Sequence, residues 1–214
     1  MTIVKTCGKL YWAGEYAILE PGQLALIKAI PIYMTAEIKA SNNYRLYSDM
    51  FSYSVDMRPD SSYALIQETV ALVEEYLTAQ GVDLQPFSID IRGKMEREGK
   101  KFGLGSSGSV VVLVIKAMLA FHERPVERDL LFKLASAVLL KRGDNGSMGD
   151  IACIVSEDLV LYQSFDREKV AQLLEKEDLP TVLTRDWGFS IRSVEPALDF
   201  DFLVGWTKEV AVSS

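Results

Sequence analysis

The chain has 214 residues, 49% of them hydrophobic and 25% charged, enough to bury a sizeable core as one large domain or somewhat more. A formal net charge of −7 argues against a nucleic-acid partner held by phosphate contacts. The longest apolar run, 110–115, stops at Lys116, far short of a membrane span, and Lys5 and Lys9 interrupt any signal-peptide core. Cys7 and Cys153 sit in apolar surroundings without disulfide-like spacing, which predicts two buried thiols in a reducing cytoplasm.

Taken in chain order, 2–12, 25–28, 32–40, 44–48 and 52–55 are rich in β-branched and aromatic residues and punctuated by Pro21-Gly22, Pro31 and Ser41-Asn42-Asn43. They read as strands. The period then changes: Ile66, Val70, Val73 and Leu77 recur at helical spacing over 61–80, and Gly81 stops the helix. Residues 86–92 alternate as a strand. Residues 110–121 are apolar nearly all round, which predicts a buried helix. An amphipathic helix follows over 126–141, entered by Pro125. Residues 143–150 form a second glycine-rich turn, with Asp150 suited to a helix's first turn. A strand at 159–163, a helix at 166–176 and strands at 188–194 and 201–207 complete the reading. Strands cluster first and mix with helices later, so the expected class is α+β.

The stretch Lys100-Lys101-Phe102-Gly103-Leu104-Gly105-Ser106-Ser107-Gly108-Ser109 precedes the buried helix. Glycines let a backbone approach a ligand closely, and a helix starting at the serines aims free N–H groups and a positive dipole end at an anion. Residues 92–101 carry five basic and two acidic side chains, a local reversal of the chain's sign that suits a polyphosphate. A plain capped turn beside a solvated charged loop is the competing reading. Gly103, Gly105 and Gly108 match G-x-G-x-x-G, but the charged loop 93–101 stands where a dinucleotide fold needs a strand leading into the glycines. No Gly-Lys-Ser/Thr completes a Walker loop, and His122 is the lone histidine, which leaves a serine hydrolase or a zinc site without partners.

Two further stretches accompany the loop: Gly8-Lys9-Leu10-Tyr11-Trp12-Ala13-Gly14-Glu15-Tyr16-Ala17 and Gly146-Ser147-Met148-Gly149-Asp150. Together, with Leu161-Tyr162-Gln163-Ser164-Phe165-Asp166, they resemble the GHMP small-molecule kinases, most closely the branch that phosphorylates mevalonate 5-phosphate. The resemblance spans essentially the whole chain. It implies a two-domain α+β fold with a ribosomal-protein-like N-terminal domain over 1–185. Residues 186–214 would be the first strands of a second α+β domain, the rest of which is expected beyond this sequence. It also implies ATP and Mg²⁺ as cofactors, mevalonate 5-phosphate as the small-molecule partner, and a cytoplasmic enzyme of isoprenoid synthesis. A mevalonate or homoserine kinase, or a metabolite-sensing protein on the same scaffold, is the alternative.

By the same resemblance, Lys9 and Asp150 are the expected catalytic pair. Lys9 would bridge the transferring phosphoryl group and the acceptor, with Asp150 holding it. Lys101, Gly103, Leu104, Gly105, Ser106, Ser107, Gly108 and Ser109 would bind ATP, and Ser107 would ligate Mg²⁺; as residues alone, Ser107 reads equally as an N-cap. Glu15, Tyr16, Ser147, Gly149 and Arg192 are the expected acceptor contacts, Arg192 also reading as a surface arginine. Lys141 and Arg142 are spare cations for a phosphorylated acceptor, and Tyr53, Asp56 and Pro59 are candidate neighbours of the adenine.

Overall fold

The computed structural model describes residues 1–93, 95–97, 100–198 and 201–205. Its backbone is the strand pair β1 (Thr2–Ala13) and β2 (Leu24–Ala40), antiparallel along their whole length. β2 runs through Pro31, where the sequence suggests a break. The register explains this: Cys7 faces Tyr33 and Gly8 faces Ile30, so Pro31 and Ile32 bulge out of the ladder and the missing proline N–H costs no hydrogen bond. The bulge also changes phase. Ala25 and Ile27 are buried before it, and Met34, Ala36 and Ile38 after it.

The other edge of β2 is shared. β5 (Phe87–Arg92) pairs with its C-terminal half, and β8 (Leu159–Gln163) with its N-terminal half. β3 (Arg45–Ser48) lies parallel to β5 and antiparallel to β4 (Ser54–Val55), while β9 (Ser190–Ser193) closes the far side on β8. The result is one mixed sheet of seven strands, in an α+β chain as expected. A two-stranded ribbon, β6 (Glu96–Arg97) and β7 (Lys100–Lys101), stands apart from it. β9 belongs to the same sheet as β1 although it lies beyond residue 185. The described part of the expected last strand, 201–205, is not a strand.

Helices cover one face. α2 (Ser106–Phe121) lies against β1 and β2, with Val111 through Ile115 wholly inaccessible to solvent, as its all-round apolar sequence requires. Around it pack α1 (Ala64–Ala79), α3 (Arg128–Lys141) and α4 (Gly149–Ser156). α5 (Arg167–Lys176) and α6 (Leu179–Thr184) finish the layer. The sequence reading passes over α6, although its signal is present: the Asp178 carboxylate accepts the Thr181 N–H at 2.9 Å, and Pro180 stands in the first turn. Both cysteines are free and buried. Among the described residues no helix is long and apolar enough to cross a membrane.

Candidate active site

Where β1 passes the start of α2, the backbone is stitched across: the Lys9 N–H donates to the Leu104 carbonyl at 2.9 Å. Gly105 makes the turn into α2 in the left-handed conformation, φ 79°, and no side chain caps the helix. The Ser106, Ser107 and Gly108 amides therefore begin α2 without intrahelical acceptors, a cluster of donors at the positive end of a 16-residue helix.

Close packing converges on these donors. A Cβ on Gly105 would lie 2.9 Å from Lys9 Cε and 3.6 Å from Asp150 Cβ. One on Gly108 would lie 2.7 Å from Asp150 Oδ2. Both glycines leave room for the expected catalytic pair, and Lys9 and Asp150 meet at the mouth of α2. Asp150 stands in the first turn of α4, entered through Met148 with φ 61°, and its Oδ1 accepts the Ile151 N–H at 2.9 Å. It keeps some contact with solvent yet is enclosed by protein. That burial pushes its carboxyl above the usual carboxylate range, while the Lys9 ammonium pulls the other way. A carboxyl packed beside a lysine and a set of bare amides is equipped to hold that cation where anions meet.

Below this pair, the Tyr11 and Ser147 hydroxyls lie 3.0 Å apart, and Lys9 Nζ stands 5.0 Å from the centroid of the Tyr11 ring. Gly149 must be glycine, because a Cβ there would fall 2.4 Å from Tyr11 Oη. Ser147 and Gly149, two of the expected acceptor contacts, thus lie against Tyr11. Glu15 is exposed, and its charge helps to raise the Tyr11 phenol pKa, though burial and Asp150 do more. Tyr16 is 81% exposed.

Several expected site residues fall elsewhere. Ser109 is wholly buried, its Oγ donating to the Cys7 carbonyl at 2.9 Å and its own carbonyl accepting from Thr6 Oγ1 at 3.1 Å. Its N–H closes the first helical bond to the Gly105 carbonyl. Ser109 fastens α2 to β1 and has nothing left for a phosphate. The Leu104 side chain is buried against Gly8, so the loop has only its backbone to offer there. Gly103 is exposed with φ 77°, Ser106 half-buried and Ser107 exposed, placing the Ser107 hydroxyl where a ligand could meet it. Lys101 lies in β7, and its side chain is outside the described residues.

Arg192 is exposed and registers with Leu161, one residue out of step with Ile191 and Tyr162, which are buried. It therefore points from the sheet face opposite the helices, away from Lys9 and Asp150. Lys141 and Arg142 pair with Glu75 and Glu68 of α1. They tie α3 to α1 and do not reach this site.

A cavity of about 120 Å³ opens directly beside Ser106 and Ser107, walled by Met50, Phe51, Ser62, Leu65 and Ile66. Tyr53, Asp56 and Pro59 do not line it. Tyr53 bonds to Asp60 and Asp56 to Arg58. Sequence reading misses this wall because its members come from the loop after β3 and the first turn of α1, which the parallel β3–β5 pairing and the packing of α1 on α2 bring together.

Residues 64–158 match the GHMP kinases N terminal domain. The Streptomyces sp. (strain CL190) phosphomevalonate kinase is 28% identical over 98% of this chain and 63% of its own length. A Streptococcus pneumoniae phosphomevalonate kinase, solved in complex with phosphomevalonate and AMPPNP, is 73% identical with a TM-score of 0.98, over 100% of this chain and 65% of that one. At 22% identity, Methanococcus jannaschii mevalonate kinase shares the fold with a TM-score of 0.63. Residues 64–158 therefore carry the N-terminal domain of the GHMP kinases. The chain spans a little under two thirds of the length of the phosphomevalonate kinases it matches.

Proposed function

We propose that this chain forms the nucleotide- and acceptor-binding part of a phosphomevalonate kinase, which moves the γ-phosphoryl group of ATP onto the phosphate of mevalonate 5-phosphate. The observation that carries the reading is the meeting of Lys9, Asp150 and the uncapped first turn of α2, made possible by the missing Cβ atoms of Gly105 and Gly108. Support comes from the 73% identical S. pneumoniae protein, whose complex holds both phosphomevalonate and an ATP analogue.

Phosphoryl transfer asks a protein mainly for positioning and charge neutralisation. The amides of 103–108 would cradle the terminal phosphates, with the nucleoside end in the cavity lined by Phe51 and Leu65. An acceptor phosphate oxygen attacks the γ-phosphorus and ADP leaves. Both reacting groups are anions, and Lys9 between them offsets their repulsion. The acceptor is already ionised near neutral pH, so a strong base has little to remove. Asp150 accordingly serves to hold Lys9. Mg²⁺, when bound, would supply charge neutralisation for the nucleotide's phosphates. Among the described residues no cluster of three acidic, histidine or cysteine side chains could hold it, so the exposed Ser107 hydroxyl and the phosphates themselves would do so.

In this reading the catalytic body is the seven-stranded sheet with its helices, which extends through β9 at Ser190–Ser193. The test is ADP release by the full-length polypeptide with mevalonate 5-phosphate, mevalonate and homoserine in turn. The proposal requires mevalonate 5-phosphate to be preferred by at least about a hundredfold in kcat/KM, the scale on which a missing ionic contact discriminates. Preference for either unphosphorylated acceptor would replace it.

A further inference from the structure

The hydroxyl pair beneath the catalytic residues has a polarity that can be derived. Ser147 is held on three sides. Its Oγ lies 3.0 Å from Tyr11 Oη and accepts the Gly149 N–H at 3.2 Å, while its carbonyl accepts from the Tyr162 hydroxyl at 2.9 Å. It is 8% exposed. Either oxygen of the Tyr11–Ser147 pair can be the donor by geometry alone. Chemistry breaks the tie, because a phenol is a far stronger acid than an aliphatic alcohol and the better donor. Tyr11 therefore donates the hydrogen bond and the Ser147 oxygen accepts it.

A serine oxygen has two acceptor sites and one proton. With Tyr11 O–H and Gly149 N–H filling both acceptor sites, the remaining hydrogen-bonding capacity of Ser147 is its own O–H. The phenol is braced in turn, by the missing Cβ of Gly149 and by Lys9 above the ring.

We infer that Tyr11 is a positioning and specificity-determining residue: by occupying the second acceptor site of Ser147, it turns that serine into a donor-only contact matched to an anionic oxygen of the acceptor. An alcohol that needs to donate finds no lone pair on Ser147, whereas a phosphate or carboxylate brings only acceptors and meets the free O–H. This rests on the function proposed above, and deepens it by assigning part of the selectivity for an anionic acceptor to a residue outside the expected contact set.

Steady-state kinetics of the full-length polypeptide with mevalonate 5-phosphate and ATP, for wild type, Tyr11→Phe, Ser147→Ala and the double variant, test it. Tyr11→Phe keeps the ring over Gly149 and under Lys9 and removes the donor. Its acceptor KM should rise about tenfold, the scale of one hydrogen bond to a charged group, and by more than kcat falls or the KM for ATP changes. Ser147→Ala should show a similar rise. In the double variant the acceptor KM should stay within about twofold of Ser147→Ala, since Tyr11 acts through Ser147. An acceptor KM within about twofold of wild type in Tyr11→Phe, or effects that multiply in the double variant, would overturn the inference and leave the functional reading standing. If Tyr11→Phe proves too unstable to assay, Ser147→Ala decides: an unchanged acceptor KM overturns the inference. Absence of wild-type turnover on mevalonate 5-phosphate would overturn the functional reading and this inference with it.

Discussion

Gly108→Ala separates the site from the fold more cleanly than removal of a charged group. Gly108 lies inside the first turn of α2, where alanine is the better helix former by about 1 kcal/mol, so propensity alone would stabilise the variant. The added methyl, however, would sit 2.7 Å from Asp150 Oδ2 and 3.1 Å from Ile151 Cδ1. Ordinary contact requires about 3.4 Å, so the carboxylate must retreat by about 0.7 Å or turn, loosening its 2.9 Å bond from the Ile151 N–H. A displacement of that size at a group that holds a reacting neighbour costs about ten- to a hundredfold in rate. The assay is ADP release beside thermal unfolding of the same preparation. The reasoning predicts a Tm close to wild type with turnover down at least about tenfold. Turnover within about threefold of wild type, with Tm preserved, would refute the placing of Asp150 against the first turn of α2 as a catalytic requirement.

Asp150→Asn should cut kcat by about a hundredfold or more, yet raise Tm at pH 7, as measured by calorimetry. The sign follows from burial, which raises the Asp150 pKa in the folded state; ionisation then costs stability that is present at low pH and lost as pH rises through the raised value. The Tm advantage of Asp150→Asn should accordingly shrink as pH falls toward the unperturbed carboxylate value near 3.8. Lys9→Met should abolish turnover to a similar degree, and NMR titration should find the Asp150 pKa higher still once the ammonium is gone. Ser109→Ala removes the hydroxyl that donates to the buried Cys7 carbonyl, so urea unfolding should show a loss of about 1–3 kcal/mol while the KM for ATP stays within about twofold.

The fold was legible where local pattern and burial coincide. The all-round apolar run of α2, the 3.6-residue period of α1 and the alternation in β5 each state an element directly. β2 was not, because Pro31 signals a break, and its harmlessness depends on a two-residue bulge against β1 that no local window contains. The edges of the site show the same division. Lys9, Asp150 and the glycines are visible as motifs, and the missing Cβ atoms explain why glycine is needed at 105, 108 and 149. Ser109 looked like one more member of a serine-rich loop; its burial follows from helical geometry, which turns it toward β1 three residues after Ser106. Arg192 cannot be placed from sequence because the face of an edge strand depends on register with β8, and the Phe51–Leu65 wall is hidden because it comes from a loop and a helix joined by a crossover.

The most direct test of the central claim is a crystal structure of this protein with a non-hydrolysable ATP analogue, Mg²⁺ and mevalonate 5-phosphate. The account predicts the terminal phosphates on the amides of Gly103 through Gly108, and the acceptor phosphate facing the γ-phosphorus across Lys9, within reach of the Tyr11–Ser147 pair. A triphosphate bound away from the first turn of α2, or an acceptor on the sheet face that carries Arg192, would contradict it.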